Sequence, residues 1–173
     1  MKFFFLTSIF IFVISLNSVN AEQKIVFVDM DRVVSTSSSG LSIINQLKDL
    51  SDKNLTLLNK QKKSFKEKEK KLFSQKNIIS ETEFANEANQ LKKKINELNQ
   101  NRNKIITDFN KLKIESTNKL LKMINPILIK FSEDNSISFI LQKKDLVIGK
   151  SELDITDEIL KIVNKEVKTF KIK

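Results

Sequence analysis

The sequence has no cysteine, histidine, tryptophan or tyrosine, and only two glycines and one proline among 173 residues. Each absence removes a class of protein. Without cysteine there are no disulfides, so the chain must be held by packing or by assembly. Without histidine or cysteine, zinc sites and the common nucleophile–base pairs lose their usual ligands and bases. Gly40 and Gly149 alone cannot build a phosphate-cradling loop. Carboxylate pairs remain possible as catalytic groups, but the chain reads as a non-enzyme with no cofactor and no metal.

What is present is positive charge and helical periodicity. Lys and Arg number 31 against 21 Asp and Glu, a formal net charge of +10. The excess is local. From Lys60 to Lys76 eight lysines stand against Glu67 and Glu69, and Lys92, Lys93, Lys94, Arg102 and Lys104 follow. Such a stretch attracts acidic polypeptides, anionic lipid or nucleic acid through a long-range, salt-sensitive field. Solvated helix faces in a sequence rich in Lys, Asn, Ile and Ser produce the same pattern, so both readings stand.

Met1 and Lys2 precede an apolar run from Phe3 to Leu16, and Val19-Asn20-Ala21 supplies small residues where a signal peptidase reads. The run is too short to span a bilayer well. Residues 1–21 are therefore expected to be a signal peptide cut after Ala21. A membrane anchor would need a longer apolar stretch or a basic flank, and neither follows. Export argues against nucleic acid as a partner.

Two long helices folded back on each other are expected between Leu41 and Phe131. The first arm carries Ile44, Leu55, Leu58, Phe65 and Leu72, the second Phe84, Ala88, Leu91, Ile95, Leu98, Ile105, Phe109 and Leu112. Steps of three and four put one narrow apolar stripe on each helix, enough to zip against one partner. Lys62 and Glu69 fall where the stripe wants apolar groups, which loosens the distal pairing. Ser80 fits an N-cap, with Glu83 completing a capping box and Ile79 and Phe84 a hydrophobic staple. Arms of roughly 35 and 50 residues reach on the order of 50 Å or more.

The flanks read as a base. Ile25 to Val28 is apolar throughout and predicts a strand covered on both sides. Met30 to Val34 suits one helical turn, and a serine between Ser35 and Ser39 caps the first arm. Near its end the second arm broadens to Leu120, Leu121, Met123, Ile124, Ile127, Leu128 and Phe131, and Pro126 predicts a kink or break near Ile124. Ile137–Leu141 and Leu146–Ile148 then read as a β-hairpin, and Asp154-Ile155-Thr156 opens a last helix. The fold class is α+β: a long antiparallel helical hairpin, 41–131, projecting as a coiled-coil tentacle from a small β-sheet body formed by 22–40 and 132–173. Residues 22–173 make one domain. Its strands are apolar on both faces with open edges, so other copies are expected to complete the body.

In this order the parts resemble the Skp/OmpH family of periplasmic chaperones for outer-membrane proteins. The likeness rests on Lys24-Ile25-Val26-Phe27-Val28-Asp29-Met30 with Arg32-Val33-Val34, the charged hairpin, Asn125-Pro126-Ile127 through Ser136-Ile137-Ser138-Phe139-Ile140-Leu141, and Asp154-Ile155-Thr156. It implies a periplasmic homotrimer whose hairpins surround a cavity and hold unfolded outer-membrane β-barrel proteins without ATP. The candidate client-facing residues are Lys63, Lys66, Lys70, Phe73, Ile78, Lys93 and Arg102. Anionic lipid or lipopolysaccharide is a further partner class, although no lipopolysaccharide site matches residue by residue. A structural envelope coiled coil and a peripheral binder of anionic lipid stay open as alternatives.

Overall fold

The computed structural model describes residues 23–173, and the expected signal peptide lies outside them. The chain opens with strand β1 (Lys24–Val28), passes through the short helix α1 (Met30–Thr36), and enters the arms α2 (Ser38–Gln75) and α3 (Glu81–Asp134). Strand β2 (Ile137–Gln142), two 3-10 turns (Lys143–Asp145 and Ser151–Leu153) and helix α4 (Thr156–Glu166) complete the base. The hairpin thus starts three residues before, and ends three after, the expected bounds. At ~1.5 Å per residue the arms are about 57 and 81 Å long. Among the described residues no helix is long and apolar enough to cross a membrane.

Serines punctuate the entry to the arms. Asp29 caps α1 by accepting from the Arg32 amide at 2.8 Å, and Ser37 caps α2 by accepting from the Gly40 amide at 3.1 Å. Gly40 is required for a steric reason, since a Cβ there would lie 1.6 Å from the Val34 carbonyl oxygen. Only a residue without a side chain lets the two helices meet at this angle.

One cluster forms the core. Val26 and Val28 of β1, Val33 of α1, Ile43 and Leu47 of α2, Leu120, Ile124 and Ile127 of α3, and Ile155, Ile159, Val163 and Val167 around α4 are all buried. The broadened apolar face of the second arm enters this cluster through Leu120, Ile124 and Ile127, with Leu128 and Phe131 packed against it, whereas Met123, expected on the same face, is exposed. Pro126 does not break the arm, because α3 runs uninterrupted through it. Pro126 is exposed while Leu120, Ile124 and Ile127 are buried, so burial holds both sides of the missing backbone bond in one helix. The helix ends instead at Asn135, whose side chain donates to the Phe131 carbonyl at 2.8 Å, and at Ser136, whose φ of 51° turns the chain.

The expected β-hairpin is not formed. β2 pairs in parallel with β1, Ile25 against Phe139 and Phe27 against Leu141, while residues 146–148 have no strand. The chain after β2 goes to the other edge of β1. There Phe27 bridges Asp154, and its carbonyl accepts from the Ile155 amide at 3.0 Å. Gly149 passes against the Phe27 ring, where a Cβ would lie 2.6 Å from Cε1. Phe27 therefore gathers the segment that alternation alone assigned to a hairpin strand. Val26, Phe27 and Val28 are buried, as a strand covered on both sides requires, whereas Ile25 is exposed.

A polar knot fixes α4. The Thr156 hydroxyl accepts from the Asp29 amide at 2.9 Å and donates to Asp154, whose carboxylate also accepts from the Thr156 amide at 3.0 Å and from Lys143 at 2.7 Å. Burial alone would push the Asp154 carboxyl up, but the hydrogen bonds from Lys143 and Thr156 outweigh it and hold the group below its ordinary range. The same hydrogen bond raises Lys143. A carboxyl depressed in the folded chain stabilises it above the unfolded carboxyl's titration, and that stability is lost as pH falls through the folded value.

Two outcomes are expected. Gly40→Ala destabilises the chain by about 2 kcal/mol or more, read as a lower urea midpoint. Asp154→Ala costs about 1–2 kcal/mol at neutral pH, and the difference between variant and parent shrinks as pH drops below about 4. A difference unchanged by acid would mean that the Asp154 charge contributes nothing.

Candidate functional site

The hairpin tip is built from local chemistry. The Ser80 hydroxyl accepts from the Glu83 amide at 3.2 Å and starts α3, the first half of the expected capping box. The reciprocal bond from Glu83 is not among those the described residues make. Phe73 packs edge-to-face on Phe84 with centroids 6.3 Å apart, and Ile79 is half-buried between the arms' ends. Phe73 still leaves 64% of its surface in water and Ile78 leaves 79%. The tip therefore presents two large apolar side chains next to Lys70, Lys71 and Lys76.

Below the tip the seam is only partly sealed. Every second-arm residue of the expected stripe, from Phe84 to Leu112, is half-buried, and on the first arm Leu58 and Phe65 are half-buried and Leu72 buried. Ile44 and Leu55 differ, being 46% and 54% exposed. Near the root, Ile43 and Leu47 are buried in place of Ile44, because α2 there faces a core to which β1, α1, α4 and the root of the opposite arm all contribute. The spacing of Ile43, Leu47 and Leu50 carries that signal as well as Ile44 does, and only the packing partner distinguishes them.

Leu55 looks into a gap. A cleft of about 590 Å³ opens between the arms, with Leu55, Leu58, Phe65, Ile95 and Leu98 as its apolar lining and Lys62, Lys66, Glu69 and Arg102 around it. Lys62 and Glu69 occupy seam positions, and their charged ends must stay in water, so the helices cannot close on one another there. Lys68 lies over the Phe65 ring at 5.6 Å, one more lysine covering apolar surface with its stem. Nearby, the Gln61 side-chain oxygen is buried without a hydrogen-bond partner. This stretch is the least satisfied part of the hairpin.

Of the seven sequence-derived candidates, Lys66 and Arg102 come together at this cleft from opposite arms. Lys63, Lys70 and Lys93 are exposed elsewhere on the arm surfaces, and Phe73 and Ile78 sit at the tip. The spacing predicts the apolar lining of the cleft as a seam loosened at Lys62 and Glu69, and a cleft opens there. No group of three or more metal-ligating side chains occurs among the described residues. The arrangement offers dispersed cations around apolar surface that stays accessible, which suits many weak contacts.

These features define a class: a small mixed base bearing one long, basic, half-zipped helical hairpin. The family model for outer membrane protein (OmpH-like) matches residues 24–163, and the chain belongs to that family. A crystal structure of a candidate OmpH-like outer membrane chaperone from Caulobacter crescentus CB15 superposes with a TM-score of 0.82 at 16% identity, covering 87% of this chain and 89% of that one. At that identity the likeness is one of fold. No curated protein matches the chain.

If Lys62 and Glu69 hold the seam open, Lys62→Leu combined with Glu69→Leu closes it. Amide exchange across residues 55–69 should then slow about tenfold, equivalent to ~1.4 kcal/mol. Unchanged exchange would place the cause of the gap elsewhere.

Proposed function

We propose that this chain is an ATP-independent periplasmic holdase that captures unfolded outer-membrane β-barrel proteins between basic helical arms and keeps them from aggregating. The observation that carries the reading is the hairpin itself: lysine-rich arms whose apolar seam and tip are left partly open, in a chain of the OmpH-like family. Lysines draw in acidic segments over distance, and exposed Phe73 and Ile78, with the cleft below them, give weak contacts tolerant of sequence. Arms that are loosely paired fit clients of different size. The Caulobacter structure of similar fold is described as a candidate outer membrane chaperone, which supports a chaperone role in general.

The open base supports association with other copies of the chain, and membership of the OmpH-like family is what makes a homotrimer the proposed assembly. β2 has β1 on one edge only, its own Phe139 and Leu141 are exposed, and so are Val147 and Ile148 in the segment that follows. Pairing of free strand edges between copies would cover this surface and complete the body. Under this proposal residues 1–21 direct export and are removed after Ala21, and 22–173 act as one domain. The client-facing set is Lys63, Lys66, Lys70, Phe73, Ile78, Lys93 and Arg102.

Sedimentation of the mature chain with a urea-diluted outer-membrane β-barrel protein tests the reading. A trimer that keeps the client soluble at low salt, and less well at high salt, is the expected result. A trimer that leaves the client to aggregate would turn the assignment to a structural coiled coil with one fixed partner. Replacing the lysines from Lys60 to Lys71 with glutamine should weaken client capture by tenfold or more without changing the sedimenting mass. Unchanged capture would remove electrostatics from the mechanism.

A further inference from the structure

Residues 167–173 follow α4 without regular secondary structure and run over the root of the hairpin. They lie beyond the stretch that the family model matches. Val167 is buried, Phe170 and Ile172 pack against the core, and Lys168, Lys171 and Lys173 are exposed. The backbone of this strap pairs with no strand. Three side-chain bonds hold it: the Ser39 hydroxyl donates to the Val167 carbonyl at 2.9 Å, the Gln46 amide donates to the Phe170 carbonyl at 2.9 Å, and the Gln46 oxygen accepts from the Ile172 amide at 3.1 Å.

The Gln46 pair has a specific meaning. In an extended chain the carbonyl of one residue and the amide two residues on face the same side, and a neighbouring strand reads that pair. Gln46 takes the place of such a strand for one repeat. It reads backbone and ignores side chains. Ser42 steadies the carboxamide, its carbonyl and hydroxyl oxygens each accepting from the Gln46 amide at 3.2 Å. Lys119 of the opposite arm lies over the Phe170 ring at 4.3 Å. Side chains two apart share a face of an extended segment, so the groove selects an aromatic residue followed, two positions on, by an aliphatic one.

We infer that the hairpin root is an extended-peptide site, that residues 167–173 fill it as an internal ligand, and that extended client segments with the same alternation exchange with the strap. The exchange rests on the chaperone reading; the groove does not. Apolar alternation is what a membrane β-barrel strand carries on its lipid-facing side. Displacing the strap frees a link between the roots of both arms, so client entry at the root loosens the hairpin that holds the rest of the client.

The test uses the full mature chain and a fluorescein-labelled synthetic peptide, Val-Lys-Thr-Phe-Lys-Ile-Lys. Replacing the strap anchors, Phe170→Ala with Ile172→Ala, should tighten peptide binding by anisotropy at least tenfold over the parent. Adding Gln46→Ala should reverse most of that gain, and a peptide with serine in place of Phe and Ile should not bind. Equal binding by parent and anchor variant would overturn the groove. Should the anchor variant fail to melt cooperatively, the parent chain decides: its Ile172 amide should lose hydrogen-exchange protection when the synthetic peptide is added in excess, and retained protection overturns the groove. With unfolded β-barrel protein, loss of Ile172 protection in a soluble complex supports exchange. A soluble complex in which Ile172 stays protected overturns exchange while the holdase reading stands; an aggregated client overturns the holdase reading while the peptide arms still judge the groove.

Discussion

Everything in this molecule hangs on how the root of the second arm is buried. Leu120, Ile124 and Ile127 of α3 are the part of a 54-residue helix that enters a core. Around them gather a strand, the start of the first arm and the last helix, elements from both ends of the described chain. A helix that buries one broad face over a few turns and leaves the rest in water behaves as a lever. The base can be rigid while the far end moves, because beyond the root only the half-buried seam between the two arms packs.

The distal arms follow from what the seam lacks. A strict apolar repeat would give a closed coiled coil with no surface to offer. Lys62 and Glu69 interrupt it, the gap lined by Leu55, Phe65 and Ile95 stays open, and the tip leaves Phe73 and Ile78 in water. Incomplete pairing costs the hairpin stability and leaves it apolar surface surrounded by cations. For a protein proposed to bind many unfolded chains that exchange is sensible, since tight complementarity would select one partner.

The base shows how a small amount of polar chemistry orders a chain with few turn residues. Ser37, Ser80 and Asp29 cap three helices in succession, and Thr156 joins Asp29 to Asp154 across more than a hundred residues. Lys143 reaches the same carboxylate while standing 5.9 Å from the Phe27 ring. These contacts draw the segment after β2 across β1. They leave the outer edge of β2 open, where the proposed assembly would take place.

Local patterns fixed much of this in advance. Periodicity of three and four placed both arms and the tip, Ser80 announced the start of α3, and the run from Ile25 to Val28 announced β1, because helix caps and amphipathic stripes are decided within a few residues. The lysines of the arms were legible for the same reason. Partner choice was not. Whether Ile43 or Ile44 faces inward, whether Pro126 ends a helix, and whether Leu146 to Ile148 folds back on β2 depend on what lies on the other side, and a sequence window does not contain the other side. The cleft at Lys66 and Arg102 and the seat of Phe170 and Ile172 against Gln46 belong to that second kind. Sequence determined the elements and their wet faces; tertiary packing decided which apolar groups were spent on the core and which were left free.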